Sequence, residues 1–244
     1  MFEYNWLKAD WPAAPNVFAA TTLRTGGVSL APYESWNMGL HTGDDPQHVS
    51  QNRRLLALPS EPFWLEQVHG NVVIEARKGI HTLVEADGSI TTSSNTICAV
   101  MTADCLPVLL SDIAGKQVAA IHAGWRGLAA GILDTAVKRF LCGPESLVVW
   151  LGPAISGKAY EVGGEVYQAF TKTDNEADAA FKQSKPGHWR MDIYALARLR
   201  LARLGVENVY GGEVCTFSEK EKYFSYRRDG ETGRMVSVIW FEKP

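Results

Sequence analysis

Apolar residues in this chain gather into short continuous runs separated by polar, glycine-rich segments. VFAATTL (17–23) reads as a strand, and further strands are expected at 63–68, 72–76, 97–102, 106–111, 117–122 and 147–151. Several are unbroken Val, Ile, Ala and Leu runs, the pattern of strands covered on both faces. Helical spacing occurs in LAAGILDTAVKRF (128–140), where Leu128, Ile132, Leu133, Ala136, Val137 and Phe140 share a face. Strand 117–122, this helix and strand 147–151 follow the order of a crossover unit. Asp45 before Pro46 is a helix start, with Asp as the cap and Pro at the first helical position; Val49, Arg53 and Leu56 then share a face. Val162, Val166 and Phe170 predict a short amphipathic helix after LGPAIS. Asp192 is placed to cap a helix over 193–204 that turns Ile193, Leu196, Ala197 and Leu204 inward.

The polar segments read differently from one another. Residues 1–15 form an extended lead-in. Residues 24–45 have no period and are rich in Gly and Pro, which predicts a long loop. Loops of that length within a domain usually carry function or are disordered. Residues 171–187 are polar and expected at the surface. The C-terminal part reads as a hairpin, YFSYRR, the turn DGETGR, then MVSVIWF. With no linker, low-complexity tract or short repeat, a single mixed α/β (α+β) domain over 1–244 is expected.

At 244 residues and 46% apolar content a substantial core is available. The net charge of −3 offers no surface for nucleic acid or an anionic membrane. The longest apolar stretch, 97–110, is interrupted by Asp104 and Pro107 and is too short for a bilayer. MFEYNWLKADWP lacks the basic start and apolar run of a secretory signal, so a reducing cytoplasm is expected. Cys98, Cys105, Cys142 and Cys215 are then thiols or ligands rather than disulfides. Either a monomer or a homodimer fits.

Three potential ligands close three apolar runs: His69 ends FWLEQVHG, Cys105 ends ICAVMTADC, and His122 lies in QVAAIHAGW. The chain has six His and four Cys, so this placement stands out. One thiolate with two imidazoles suits zinc or copper, and three protein ligands leave a fourth position open, as in a catalytic site. The spacings of 36 and 17 residues match no zinc-finger pattern. Each histidine alone reads as a satisfied core residue, and Cys98, Cys142 and Cys215 read as buried core thiols. Asp104 beside Cys105 would raise the thiol pKa unless a metal or histidine offsets it, which favours a metal thiolate. A metal-free alternative keeps Cys105 as nucleophile with His122 as base. Another is a sensor that binds metal or nucleotide without turnover.

HAGWRG (122–127) places two glycines and Arg126 before a helix start, an arrangement that favours anions or, equally, a plain turn. Trp125 is placed to stack on a flat substrate or to pack in the core. Arg24 near Gly26 and Gly27, Asn37 in the long loop, and Arg227 in SYRR are candidate substrate contacts, though singly each reads as a surface group.

The segments TLRTGGVS, YESWNMGLHTGDD, WLEQVHG, MTADCLPV, HAGWRG, LGPAIS and FSYRRDGETGRM, in this order from about residue 16 onward, resemble the YfiH family, also called the multicopper polyphenol oxidase or laccase-domain family. The resemblance implies an α/β fold of two mixed sheets with helices outside, similar to the catalytic domain of a bacterial cytotoxic factor. It implies zinc held by His69, Cys105 and His122. It also implies purine nucleoside phosphorylase activity on adenosine, inosine and methylthioadenosine, with adenosine deaminase activity. Bacterial members are further described as peptidoglycan editing factors that hydrolyse a cell-wall precursor carrying Ser in place of Ala. The oldest label, laccase, fits poorly, because six histidines cannot also build a three-copper cluster, although a weak copper-dependent oxidation stays open. For phosphorolysis, Arg24, Arg126 and Arg227 would bind phosphate, and Asn37 or Asp104 the base or sugar. For deamination, Asp104 is the candidate proton-moving carboxylate.

Overall fold

A computed structural model describes residues 5–77, 79 and 83–243; the first four residues of the expected lead-in lie outside these. Two large sheets carry the architecture. One has four antiparallel strands in the order Trp6–Lys8, Val17–Thr22, Met235–Phe241, Cys98–Thr102. The other is mixed, with six strands in the order Asn208–Gly211, Leu147–Leu151, Leu106–Asp112, Val118–Ala123, Gly88–Thr91, Val73–Glu75. Two small sheets join Glu161–Gly163, His188–Met191 and Phe181–Lys185, and Leu65–Glu66 with Val84–Glu85. The mixed α/β class is as expected, but only the six-stranded sheet is mixed; the second large sheet, also expected to be mixed, is wholly antiparallel.

The unbroken apolar runs are explained by the pleat. Successive residues point to opposite faces, and both faces of the six-stranded sheet are covered. Leu106, Val108 and Leu110 join Ala119, Ile121, Val149 and Leu151 in a core against the helices. Leu109, Val118, Ala120 and Trp150 face the other way, onto Cys98, Val100 and Ile239 of the four-stranded sheet. The four-stranded sheet is covered on its outer face by Trp36, Met38 and Leu56 packed against Ala99, Met101, Val238 and Trp240. Strands Val118–Ala123 and Leu147–Leu151 both run antiparallel to Leu106–Asp112 between them, so the intervening helices form the expected crossover.

Several expected elements take another form. The helix over 128–140 is two helices, Trp125–Ala129 and Ile132–Val137, broken where Gly131 is left-handed (φ 83°); the Asn71 amide caps the freed Ala130 carbonyl at 2.8 Å. Val162 lies on Glu161–Gly163, and the helix begins after it, at Gly164–Thr171. The polar stretch 171–187 contains strand Phe181–Lys185, in which Phe181 packs against the core and the other four residues are exposed, so no apolar alternation marks it. YFSYRR is no hairpin strand: Tyr226–Asp229 is one helical turn capped by Ser225, and Met235–Phe241 pairs with Val17–Thr22 and Cys98–Thr102 instead. The starts at Asp45 and Asp192 are as expected, each carboxylate accepting a helix N–H. The long loop contains no helix or strand. Asn52 of helix Pro46–Arg54 pins it, donating to Ser29, Ser35 and Asn37 and accepting from Val28 N–H.

Candidate active site

The segment after Cys98–Thr102 leaves the four-stranded sheet and enters Leu106–Asp112 of the six-stranded one. Asp104 turns this corner with φ 94°, and Cys105 follows. Leu106 pairs with Ala123 and Pro107 with His122, so Cys105 stands beside the end of the neighbouring strand. His69 arrives from a third direction, on a turn with φ 61°. Gln67 fixes this turn by accepting from Met101 N–H at 2.7 Å and donating to Met101 C=O at 2.8 Å. The three ligand atoms then lie within 4.8 Å of one another, with Cys105 Sγ 3.9 Å from His69 Nε2. The imidazole rings meet edge to face at 4.8 Å.

His122 is almost fully buried, and its Nδ1 donates to Asp87 at 2.7 Å, which leaves Nε2 for a ligand. Burial alone would raise the Cys105 thiol, but the charge of His122 and hydrogen bonds from His122 and His69 bring it down to about 6. Burial alone would lower His122; the Cys105 thiolate and the Asp87 carboxylate push it up to about 9. The metal-free pair is therefore thiolate and imidazolium at neutral pH.

The donor set fits a metal. Tetrahedral zinc places N and S ligands about 3.3–3.6 Å apart, and small side-chain rotations bring these three to that spacing. Gly124 supplies the room: a Cβ there would meet His69 Cδ2 at 3.0 Å, Cys105 Sγ at 3.2 Å and His122 Cε1 at 3.6 Å. The glycines of HAGWRG thus have packing reasons. Gly127 lets the Gly70 carbonyl approach, where a Cβ would stand 2.5 Å from that oxygen. The following helix has five residues, so the anion donor in this motif is the Arg126 side chain rather than the helix end. Among the described residues, these three form the one group of three His, Cys, Asp or Glu side chains close enough to share an ion.

Two arginine–aromatic pairs flank the cluster. Arg227 lies 5.1 Å over the Tyr160 ring and Arg126 4.5 Å over Trp125. Tyr160 lies within the fields of Cys105, Arg227, Asp104 and Arg126, and burial raises its hydroxyl pKa. Both arginines are exposed, and neither pairs with a carboxylate among the described residues. Arg227 gives one N–H to Glu161 C=O at 2.6 Å, which aims the rest of its fork outward.

Three expected contacts are committed to other partners. Asp104 has both carboxylate oxygens occupied, by Thr216 Oγ1 and by Arg227 N–H, each at 2.6 Å; it supports Arg227 and is not a free proton carrier. Arg24 spends its guanidinium on the carbonyls of Glu34 and Lys220 and lies 5.0 Å over Phe224. Asn37 is fully buried, with its amide bonded to Thr42, Asp44, Gly39 and Arg234, so it holds the loop and faces no ligand. Of the remaining cysteines, Cys98 is a buried core thiol pushed up to about 12 by burial. Cys142 and Cys215 are only half-buried, contrary to the core expectation, and all four are free thiols. A cavity of about 820 Å³ lined by Ser156, Arg190 and Cys215 does not include the cluster.

A family model described as multi-copper polyphenol oxidoreductase laccase matches residues 18–242. The chain belongs to this family, the YfiH or laccase-domain family. Its relatives within the YfiH family include a purine nucleoside phosphorylase named YfiH from Escherichia coli, 53% identical over 235 residues that cover 95% of this chain and 96% of that one. A purine nucleoside phosphorylase of Pseudomonas aeruginosa is 49% identical, covering 97% and 98%. Among solved structures, a Neisseria meningitidis protein superposes with a TM-score of 0.95 at 48% identity over 98% and 100% of the two chains. YlmD of Geobacillus stearothermophilus gives 0.93 at 33% identity over 100% and 98%. No helix is long and apolar enough to cross a membrane among the described residues.

Sequence reasoning missed four residues of this YfiH-family site. Asp87 follows no apolar run, and Tyr160 sits in a polar connection. Arg234 reads as a turn residue, yet it is half-buried with Cys105 and Asp104 in its field. His41, in the long loop, is held below the ordinary imidazole value by burial and by Arg234 and Arg53, and it feels both His122 and His69. The motif GLHTG was the available signal for His41.

Proposed function

We propose that this protein is a zinc-dependent enzyme that phosphorolyses purine nucleosides, adenosine, inosine and methylthioadenosine among them, and also deaminates adenosine. The observation that carries this reading is the pair of exposed guanidiniums without a carboxylate partner among the described residues, each over an aromatic ring, beside a thiolate–imidazole cluster. The names of the relatives support the purine class. His69, Cys105 and His122 would hold the ion, which supplies Lewis acidity and a bound water of lowered pKa. Arg227 and Arg126 grip phosphate oxygens through their planar forks. Tyr160 and Trp125 offer flat faces to the base. Asp104 and Thr216 keep Arg227 in place. In phosphorolysis a phosphate oxygen bonds to the sugar anomeric carbon as the bond to the purine nitrogen breaks, its electron pair leaving with the base. Deamination exchanges the ring amino group for an oxygen from water and releases ammonia.

The test is chromatography of zinc-loaded protein incubated with adenosine, with and without phosphate, beside Cys105→Ala. Adenine and a ribose phosphate that require both phosphate and Cys105 are expected. No base release by the wild type, or equal release by Cys105→Ala, overturns the phosphorylase reading. Release of serine from a muramyl-serine cell-wall precursor would then assign the same cluster to amide hydrolysis. A multicopper oxidase needs a second cluster, and none is present among the described residues.

A further inference from the structure

One more ionisable side chain is bonded directly to the cluster. Asp87 is fully buried. Its Oδ1 accepts from His122 Nδ1 at 2.7 Å and from His69 N–H at 2.9 Å; its Oδ2 accepts from Gly70 N–H at 2.6 Å and Val68 N–H at 3.3 Å. Its backbone is shared in the same way. The Asp87 carbonyl accepts from His122 N–H at 2.7 Å, and its own N–H donates to Val72 C=O at 3.0 Å. One residue therefore fastens both histidine-bearing segments. Asp87 immediately precedes Gly88, whose partner across the ladder is Ile121, so the strand register delivers the carboxylate to His122.

Four N–H donors require the carboxylate in its acceptor-only, ionised form. A full negative charge thus stays in a dry interior, where Coulomb interactions are weakly screened. Thiolate and carboxylate together carry two negative charges, and two neutral imidazoles add none. A divalent cation makes this ensemble neutral, whereas a cuprous ion leaves one charge uncompensated. Farther out, Asp104 and the half-buried Arg234 lie in each other's field and offset one another, and Arg126 and Arg227 are exposed to water.

We propose that Asp87 is the positioning and selectivity residue of the metal centre: it fixes the Nδ1–H form of His122 and the left-handed turn at His69, and its charge selects a divalent cation over cuprous copper. This rests on the reading that the His69–Cys105–His122 cluster holds a metal. The experiment compares full-length wild type with Asp87→Asn, which keeps the shape and one acceptor but removes the charge and turns an amide donor toward other donors. Both are titrated with Zn²⁺ and, anaerobically under reductant, with Cu⁺ against chromophoric chelators, with near-UV circular dichroism to verify folding. Zinc affinity is expected to fall about 10- to 100-fold, and Cu⁺ affinity by a clearly smaller factor, because Cu⁺ loses the positioning but not the charge match. Equal losses for both ions overturn the selectivity claim, and no loss for either overturns the proposal entirely. Failure of the wild type to bind either ion overturns the underlying metal reading, a distinguishable result. Should Asp87→Asn not fold, ¹⁵N spectra of histidine in zinc-loaded wild type decide the positioning claim. Nδ1–H with ligated Nε2 on His122 is expected, and Nε2–H would overturn it.

Discussion

Gly124→Ala separates metal binding from folding more cleanly than any ligand substitution. Gly124 has φ −66° and ψ 162°, a conformation open to every residue. The substitution therefore adds no backbone strain, and the gain of about 0.4–1 kcal/mol from a narrower unfolded ensemble is offset by placing Ala where Gly124 caps helix Trp125–Ala129, so the metal-free protein should change little in stability. The new methyl would stand 3.0 Å from His69 Cδ2 and 3.2 Å from Cys105 Sγ. Without metal these side chains can each yield a few tenths of an ångström. With metal their positions are fixed by coordination, and overpacking of this kind costs about 1–3 kcal/mol. The prediction separates two assays. Zinc affinity by chelator competition should fall about 5- to 150-fold, while the urea midpoint of the metal-free protein holds. Unchanged zinc affinity in a folded variant would refute the idea that this glycine makes room for the ion. Gly127→Ala is the contrast: its Cβ would meet the Gly70 carbonyl at 2.5 Å. Backbone must move there, so destabilisation of about 1–3 kcal/mol is expected even without metal.

Other outcomes follow from the same geometry. Between pH 6 and 9 the metal-free pair is thiolate and imidazolium, whereas coordination needs thiolate and neutral imidazole. Zinc binding should therefore release about one proton from this pair at pH 7.5 and none from it above pH 9; calorimetry in buffers of different ionisation enthalpy measures this, and no release at pH 7.5 contradicts it. Iodoacetamide with mass-spectrometric mapping should label Cys105 first in the metal-free protein, with zinc protecting it, while Cys98 reacts only on unfolding; early labelling of Cys98 would contradict its burial. Arg227→Ala and Arg126→Ala should each raise the phosphate KM and lower kcat/KM about 10- to 100-fold. Arg24→Ala should leave both unchanged, and a comparable loss there would return Arg24 to the substrate contacts.

The His69–Cys105–His122 cluster was legible because each of the three residues closes an apolar run, and strand ends are where side chains escape a packed sheet. Its supports were not. Asp87 is recognisable only once the ladder places Gly88 against Ile121, a pairing across 33 positions that no local period encodes. The hairpin reading of 223–241 failed for a related reason. DGETGR looks like a hairpin turn, but the Ser225 cap and the Asp104 carboxylate draw 226–229 into a helical turn. The following strand then finds deeper burial between two strands from far earlier in the chain. Among the expected anion donors, sequence type alone could not rank Arg24 against Arg227. What separates them is how many of their N–H groups the protein itself consumes.

Strand Met235–Phe241 lies in the middle of its sheet, and Cys98–Thr102 at the edge pairs with it along the strand, the other side carrying the Phe63 bridge to Cys98 and the Gln67 side chain. The segment carrying Asp104 and Cys105 therefore gains its anchor on that side only after residue 241 has been synthesised. During translation at roughly 5–20 residues per second, Cys105 waits at least several seconds beside a sheet that cannot yet be completed. A metal taken up by His69, Cys105 and His122 would therefore be held in its final geometry only once residues 235–241 have joined the sheet, and until then Cys105 would stand as a bare thiol.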